Sequence, residues 1–293
     1  MPPPERQPAG GTLYVVATPI GNLRDITFRA IDVLRDVPLI AAEDTRLTRR
    51  LLDRYEITTR ALSFHARSGS ARLEELLAHL RGGADLALVT DAGTPVVSDP
   101  GADLVAAWAD QGGRVVPIPG PSAVLAAVAA TGVAGPRWAF EGFLAKSGRE
   151  RRERVAAIAA DPRGTVLFEA PGRVATTLRD LAAACGAERP GAVARELTKL
   201  HERIERGTLG ELAAAAADGR IPARGEFVIV VGMGDRPART TADDLVAARA
   251  AVERLVEEGV ARGEAARRVA ADTGLPRRRL YGSTGDGKGQ PPG

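Results

Sequence analysis

Short apolar runs alternate with helix-spaced apolar positions along the first half of the chain, the pattern of strands alternating with helices. Leu13–Ala17, Leu39–Ala42, Ala61–Phe64, Leu86–Val89 and Val115–Ile118 read as strands. Amphipathic spacing between them falls at Ile31, Leu34 and Val37, at Leu47, Leu51, Leu52 and Tyr55, and at Leu73, Leu76, Leu77 and Leu80. Ala102–Trp108 and a segment opening at Ala123 add two further helices. Asp25 is the candidate cap of the first helix, and Asp99 before Pro100 the candidate N-cap of the fourth. Residues 12–133 therefore read as an α/β domain with a parallel sheet.

The second half has a different texture. Arg137–Phe140, Thr165–Phe168, Ala192–Arg195, His201–Arg206 and Phe227–Val231 are strand candidates, with helical patterns at Val174–Ala184 and Leu209–Ala217. Residues 136–233 read as a second α/β domain of more antiparallel character. Residues 234–242 read as a linker, and 243–281 as a helix-turn-helix-like unit built from Leu245–Val256, Ala265–Ala271 and Pro276–Tyr281. Residues 1–11 and 282–293, rich in Gly and Pro, are expected to be a disordered leader and tail.

Composition narrows this picture only in places. The 293 residues are 44% hydrophobic but only 4% aromatic, so the core must be aliphatic. No apolar run reaches the ~18 residues of a membrane span. The single cysteine, Cys185, excludes an intramolecular disulfide and fits a reducing cytoplasm. It lies on an apolar helical pattern and reads as packing. Three scattered histidines and one cysteine argue against zinc, and no metal is expected. There is no Walker A loop, no strand-borne Gly-x-Gly-x-x-Gly and no Gly-x-Ser-x-Gly elbow.

What remains is a set of loops after successive strands: Thr18–Asn22, Glu43–Arg46, Asp91–Pro95 and Pro119–Ser122. In a parallel sheet such loops share one edge, where open α/β sheets bind ligands. Backbone amides and a few carboxylates there suit a small ligand with cationic and hydrogen-bonding parts.

Six blocks then occur in one order: Ala17–Thr27, Ala42–Arg46, Thr90–Gly101, Pro119–Ala123, Ala194–Lys199 and Gly225–Phe227. Together they resemble the bacterial ribosomal RNA small-subunit methyltransferase I family, within the tetrapyrrole methylase superfamily of S-adenosylmethionine enzymes. The resemblance implies a two-domain tetrapyrrole-methylase-like fold, here with a small C-terminal helical unit. It implies S-adenosylmethionine as methyl donor and a cytidine ribose 2′-hydroxyl of the decoding region of 16S ribosomal RNA as acceptor. It also implies a homodimer working on the small ribosomal subunit. By motif position the donor pocket falls on Pro19, Asp91, Ala92, Gly93, Thr94, Val97, Ser122 and Ala123, with Glu169, Ala170, Arg195, Glu196 and Leu197 from the second domain. Two departures stand out. Gly172 occupies a position where relatives usually carry histidine, and His65 is followed by Ala66-Arg67-Ser68 where they often carry further acidic, His or Asn residues.

A 2′-hydroxyl is a poor nucleophile at neutral pH, so a base is useful. Glu43, Asp44 and Glu196 are the candidates, the competing reading being that Glu43 and Asp44 pair with Arg46 or cap the next helix. Lys146, Arg149, Arg151, Arg152 and Lys199 are the candidate RNA-phosphate contacts; a solvated helix face and an ion pair to Glu196 are the alternatives. Arg267, Arg268 and Arg277–Arg279 give the C-terminal helices a second basic face. Scarce aromatics argue against stacking platforms for single strands. A small-molecule methyltransferase of the same fold and a non-catalytic, ligand-sensing nucleic-acid-binding protein are the two competing functions. The basic loop and the C-terminal unit weigh against the first of these.

Overall fold

The computed structural model describes residues 10–234, 242–273, 275 and 277–280. The expected leader (to residue 9), most of the linker and the tail lie outside the described residues. Five parallel strands form the first sheet: β1 (Thr12–Val16), β2 (Leu39–Ala42), β3 (Arg60–Ser63), β4 (Leu86–Val89) and β5 (Arg114–Ile118), in the order β3-β2-β4-β1-β5. β2 and β4 are apolar and buried along their whole length, as strands covered on both faces must be. One face carries α1 (Phe28–Asp36) and α2 (Thr45–Arg54); the other carries α3 (Ser70–Arg81) and α4 (Ala102–Asp110).

The chain leaves β1 toward β2 on one side and leaves β4 toward β5 on the other. The adjacent carboxyl ends of β1 and β4 are therefore a topological switch point, where a crevice opens. A two-way backbone bridge spans it, the Thr18 amide donating to Gly93 O at 2.8 Å and the Gly93 amide to Thr18 O at 3.0 Å.

The second sheet has the order β6-β7-β10-β8-β9, from β6 (Trp138–Phe143), β7 (Gly164–Glu169), β8 (Pro190–Arg195), β9 (Arg203–Thr208) and β10 (Phe227–Val231). β6 and β7 are parallel, and the remaining pairs are antiparallel. α5 (Ala123–Thr131) follows β5 yet packs on one face of this sheet, against Val166, Ala192, Ala194, Val228 and Val230. α6 (Gly148–Ala160), α7 (Val174–Cys185) and α8 (Leu209–Ala217) cover the other face. Both sheets belong to one compact unit that ends at Gly234.

The described residues from Ala242 onward belong to a second unit. Within it α9 (Ala242–Glu257), α10 (Arg262–Thr273) and a 3-10 turn (Arg277–Leu280) close around Val252, Ala265, Ala266, Val269 and Leu280. Arg267 and Arg268 are both ion-paired to Glu264, so the basic face expected there is partly neutralised within its own helix. No helix among the described residues is long and apolar enough to cross a membrane.

Several local expectations are corrected. α1 is capped by Thr27, whose hydroxyl accepts from the Ala30 amide at 3.1 Å, while Asp25 lies in a preceding 3-10 turn capped by Asn22. α4 starts after Gly101 (φ 116°), so neither Asp99 nor Pro100 is its cap. A Cβ on Gly101 would sit 2.6 Å from Leu88 Cδ2, so the chain turns there in a conformation and a space only glycine fits. β6 extends to Phe143. β9 starts two residues late, because the Lys199 amide closes a turn on Glu196 O and the Glu202 amide one on Lys199 O.

Candidate functional site

A cleft of about 480 Å³ opens between the loops of the first sheet and the edge of the second. Asp91, Ala92, Gly93, Thr94 and Val97 line it from the loop after β4, and Ser122 and Ala123 from the start of α5. Glu169, Ala170 and Leu197 line it from the second sheet, and Glu43 from the end of β2. The elements account for these placements. Ser122 caps α5, accepting from the Leu125 amide at 3.4 Å, and the Thr94 hydroxyl donates to Pro121 O at 3.3 Å, tying two loops together.

Three expected donor-site residues stand outside this wall. Pro19 is buried beside the Thr18–Gly93 bridge. Arg195 is buried with its Nε donating to Arg224 O at 2.7 Å, which holds the approach to Gly225 rather than a ligand. Glu196 turns its carboxylate toward the Glu226 amide (2.9 Å) and Lys199 Nζ (3.1 Å). The Glu226 amide, with help from Lys199, holds the Glu196 carboxyl below the ordinary range. A Cβ on Gly225 would fall 2.7 Å from this carboxylate, so the packing is close.

Lys199 also reaches Glu226 Oε1 at 3.0 Å; burial works against its ammonium, but these two carboxylates leave its pKa raised. It is a clasp across the cleft margin, not a free cation. Asp44 caps α2 and pairs with Arg46 at 2.7 Å; the Arg46 hydrogen bonds pull its pKa down to about 2. So strong an acid is a poor proton acceptor at neutral pH.

Arg151, expected on an exposed basic face, is 6% exposed. Its guanidinium donates to Asp180 Oδ2 at 2.9 Å, Thr177 Oγ1 at 2.9 Å and Ala145 O at 3.2 Å. Thr177 donates to Glu169 Oε2 at 2.5 Å, and Arg173 Nε pairs with Glu169 Oε1 at 3.1 Å. A buried polar network thus backs the cleft wall at Glu169. Lys146, Arg149 and Arg152 do lie on the surface; Arg149 pairs with Glu153, an exposed contact of small worth.

Several cleft residues escaped sequence reasoning. Phe143, Phe168 and Phe227 are three of only six phenylalanines in the chain, and all three border the cleft from strand ends, Phe227 as a buried core residue. Phe143 is 57% exposed, and its ring centroid lies 5.5 Å from that of Phe168. Such clustering of a rare residue type at strand ends was the available signal. Asp99 also lines the cleft, freed by the late start of α4. Burial first, then the Glu43 charge and more weakly that of Asp91, outweigh a hydrogen bond from Thr90 and push its carboxyl up to about 6. The same two causes, burial and Glu43, raise Asp91.

Four non-glycine residues in the left-handed region border this site: Val96 (φ 75°), Ser98 (69°), Glu196 (53°) and Thr198 (67°). Each such conformation costs roughly 1–3 kcal/mol and persists only where the surroundings enforce it. The cleft therefore has backbone held in strained turns along its rim, apolar walls and a carboxylate-rich floor. Among the described residues, no Lys or Arg ion-pairs with Glu43, Asp91 or Asp99, and no group of His, Cys, Asp and Glu is placed to hold a metal. Such a floor is matched by a ligand that brings its own positive charge.

Comparison with known proteins agrees with this geometry. The family model for tetrapyrrole (corrin/porphyrin) methylases matches residues 12–213. The ribosomal RNA small subunit methyltransferase I of Synechocystis sp. is 46% identical, over 92% of this chain and 96% of its own length. That of Bacillus subtilis is 39% identical, over 92% of this chain and 93% of its own. Among solved structures, the uroporphyrin-III C-methyltransferase of Thermus thermophilus, complexed with S-adenosyl homocysteine, superposes with a TM-score of 0.56. It is 20% identical, covering 76% of this chain and 97% of that one. The chain belongs to the tetrapyrrole methylases and, within them, to the ribosomal RNA small subunit methyltransferase I family.

Proposed function

We propose that this protein methylates a cytidine 2′-hydroxyl in the decoding region of 16S ribosomal RNA, with S-adenosylmethionine as donor, acting on the small ribosomal subunit in the cytoplasm. The observation that carries the reading is the cleft at the switch point, in a chain whose relatives are named for small-subunit RNA methylation. When bound, the donor supplies an already activated methyl group. The residues present fit it: an aromatic and aliphatic wall for its ring system, and carboxylates for its positive charges. Asp91 would hold a cationic group of the donor, and the Ala92–Thr94 backbone its carboxylate. Leu197 and Phe143 would exclude water. The protein's own contribution is alignment of two reactants in one cleft, an effect worth several kcal/mol of barrier.

Lys146, Arg149 and Arg152 serve as the phosphate contacts in this reading. Among the described residues neither Lys146 nor Arg152 has an ion-pair partner, and both are exposed. Replacing all three by alanine is expected to weaken RNA binding and to reduce the slope of log affinity against log salt by about 2, since each phosphate contact contributes roughly 0.7. Filter binding from low to physiological salt measures this, and an unchanged slope returns the cluster to solvated surface.

The acceptor is tested with radiolabelled donor on small subunits lacking the modification, followed by nuclease mapping. Label at one decoding-region cytidine is expected; label in a porphyrinoid and none in RNA overturns the reading. A homodimer also follows from it. In support, Phe28 and Leu200 are 88% and 92% exposed, and Leu125 is 59% exposed. A second copy of the chain would cover such apolar side chains. Light scattering at micromolar concentration is expected to return twice the chain mass, and the single-chain mass removes the dimer.

A further inference from the structure

Thr90, at the end of β4, is buried, and its hydroxyl carries a single proton. That proton is directed at Glu43 Oε2, 2.6 Å away. Glu43 Oε2 also accepts from the Asp91 amide at 3.3 Å, and Asp91 Oδ1 accepts from the Asp44 amide at 2.9 Å. The Asp99 carboxylate lies beside Thr90 and faces these two carboxylates across the cleft floor. Thr90 thus faces two carboxylates with one proton: Glu43 takes it at 2.6 Å, while Asp99, which Thr90 also reaches and positions, keeps its raised basicity.

The other acids around it are occupied. Glu169 is paired with Arg173, Glu226 with Lys199, and Glu141 on β6 with Arg154 at 3.1 Å. Arg46 is spent on Asp44, and its field reaches Asp91. The loop carrying Asp99 is also held in place. Val96 and Ser98 are in the left-handed region, and a Cβ on Gly142 of β6 would approach Ser98 Oγ to 3.0 Å. Strain of this kind beside a cleft is a sign of a side chain held for a task.

We propose that Asp99 accepts the proton of the RNA hydroxyl during methyl transfer, with Thr90 and Glu43 as its positioning residues. The inference rests on the donor and acceptor assigned above. The hydroxyl oxygen forms its bond to the methyl carbon as the sulfur–methyl bond breaks, and that bond's electron pair leaves with sulfur. The oxygen–hydrogen pair stays on oxygen, and the proton passes to Asp99, which becomes a neutral acid. One positive and one negative charge disappear together, a change that a partly buried site favours. The proton then leaves through the cleft mouth when product departs. A carboxyl pushed up to about 6 is suited to hold a proton briefly at neutral pH and to release it again.

The test is single-turnover methylation of unmodified small subunits from pH 5 to 8, with calorimetric titration of S-adenosylhomocysteine alongside. For the wild-type protein, the rate is expected to rise tenfold per pH unit below about 6 and to level off above it. Asp99→Asn is expected to lose about 100-fold or more in rate and to lose that inflection. Its affinity for S-adenosylhomocysteine should stay within threefold, and its melting temperature at pH 8 should be no lower, since it removes a charge that burial disfavours. Asp99→Glu should recover part of the rate with a displaced inflection.

A rate for Asp99→Asn within threefold of wild type overturns the proposal, as does an inflection that survives. A tenfold loss of S-adenosylhomocysteine affinity that accounts for the whole rate loss also overturns it, by making Asp99 a donor ligand. Wild-type protein that binds S-adenosylhomocysteine but labels no ribosomal RNA overturns the acceptor assignment instead, and that result is distinguishable from all the others.

Discussion

Gly93→Val is expected to lower affinity for S-adenosylmethionine by at least 100-fold, or about 2.7 kcal/mol. Gly93 has φ 87°, where a β-branched side chain is a true outlier. Its backbone has no freedom to relax, because both its amide and its carbonyl are bonded to Thr18 across the switch point. The new side chain would leave the backbone toward Ile20 Cγ2, 3.5 Å from the Cβ position, and so enter the cleft wall. Strain alone is expected to cost roughly 1–3 kcal/mol of stability, leaving a folded protein in which binding can be measured by calorimetry. An affinity within threefold of wild type would return the loop to the status of a turn.

Glu169→Ala is expected to have the largest effect on stability. The carboxylate is 0% exposed and receives Arg173 Nε, the Thr177 hydroxyl and the Ala170 amide. Truncation leaves a partly buried guanidinium without its counter-charge and two donors without acceptors. Breaking a buried pair from one side costs about 3 kcal/mol or more, which for a unit of this size lowers the melting temperature by roughly 6–12 °C. Because Thr177 also holds Arg151 and, through it, Ala145 O, the damage should reach the segment after Phe143. Scanning calorimetry with a donor titration measures both effects. A loss below 1 kcal/mol would mean that water or a shifted side chain replaces the carboxylate.

How far the chain could be read varies with the range of the interactions involved. The parallel half was legible nearly strand by strand, because β2 and β4 are buried on both faces and appear as unbroken apolar runs. β6 and β9 were misplaced at their ends, since their edges are set by a neighbour and by the turn at Glu196–Lys199. Arg151 looked like one more exposed cation among Lys146, Arg149 and Arg152. Spacing along a helix does not say which flank meets another helix, and α7 supplies Thr177 and Asp180 to that flank. Asp99 looked like a helix cap because Asp-Pro so often is one; the close fit of Gly101 against Leu88 moved the helix start and left the carboxylate over the cleft.

The sequence by itself determined the alternation of strand and helix, the loops that gather on one sheet edge, and the ordered blocks that mark the family. These depend on contacts within a few residues, or on a residue type required at one place. The tertiary structure alone decided which charged groups are spent and which are free. Glu43 meets Thr90 across 47 positions and Arg151 meets Asp180 across 29. Whether a carboxylate finds a proton donor depends on a partner that only the strand order β3-β2-β4-β1-β5 brings beside it. The acids most visible in the sequence, Asp44 and Glu196, are held by cationic neighbours; among the described residues no Lys or Arg ion-pairs with Asp99, which has only the Thr90 hydroxyl beside it.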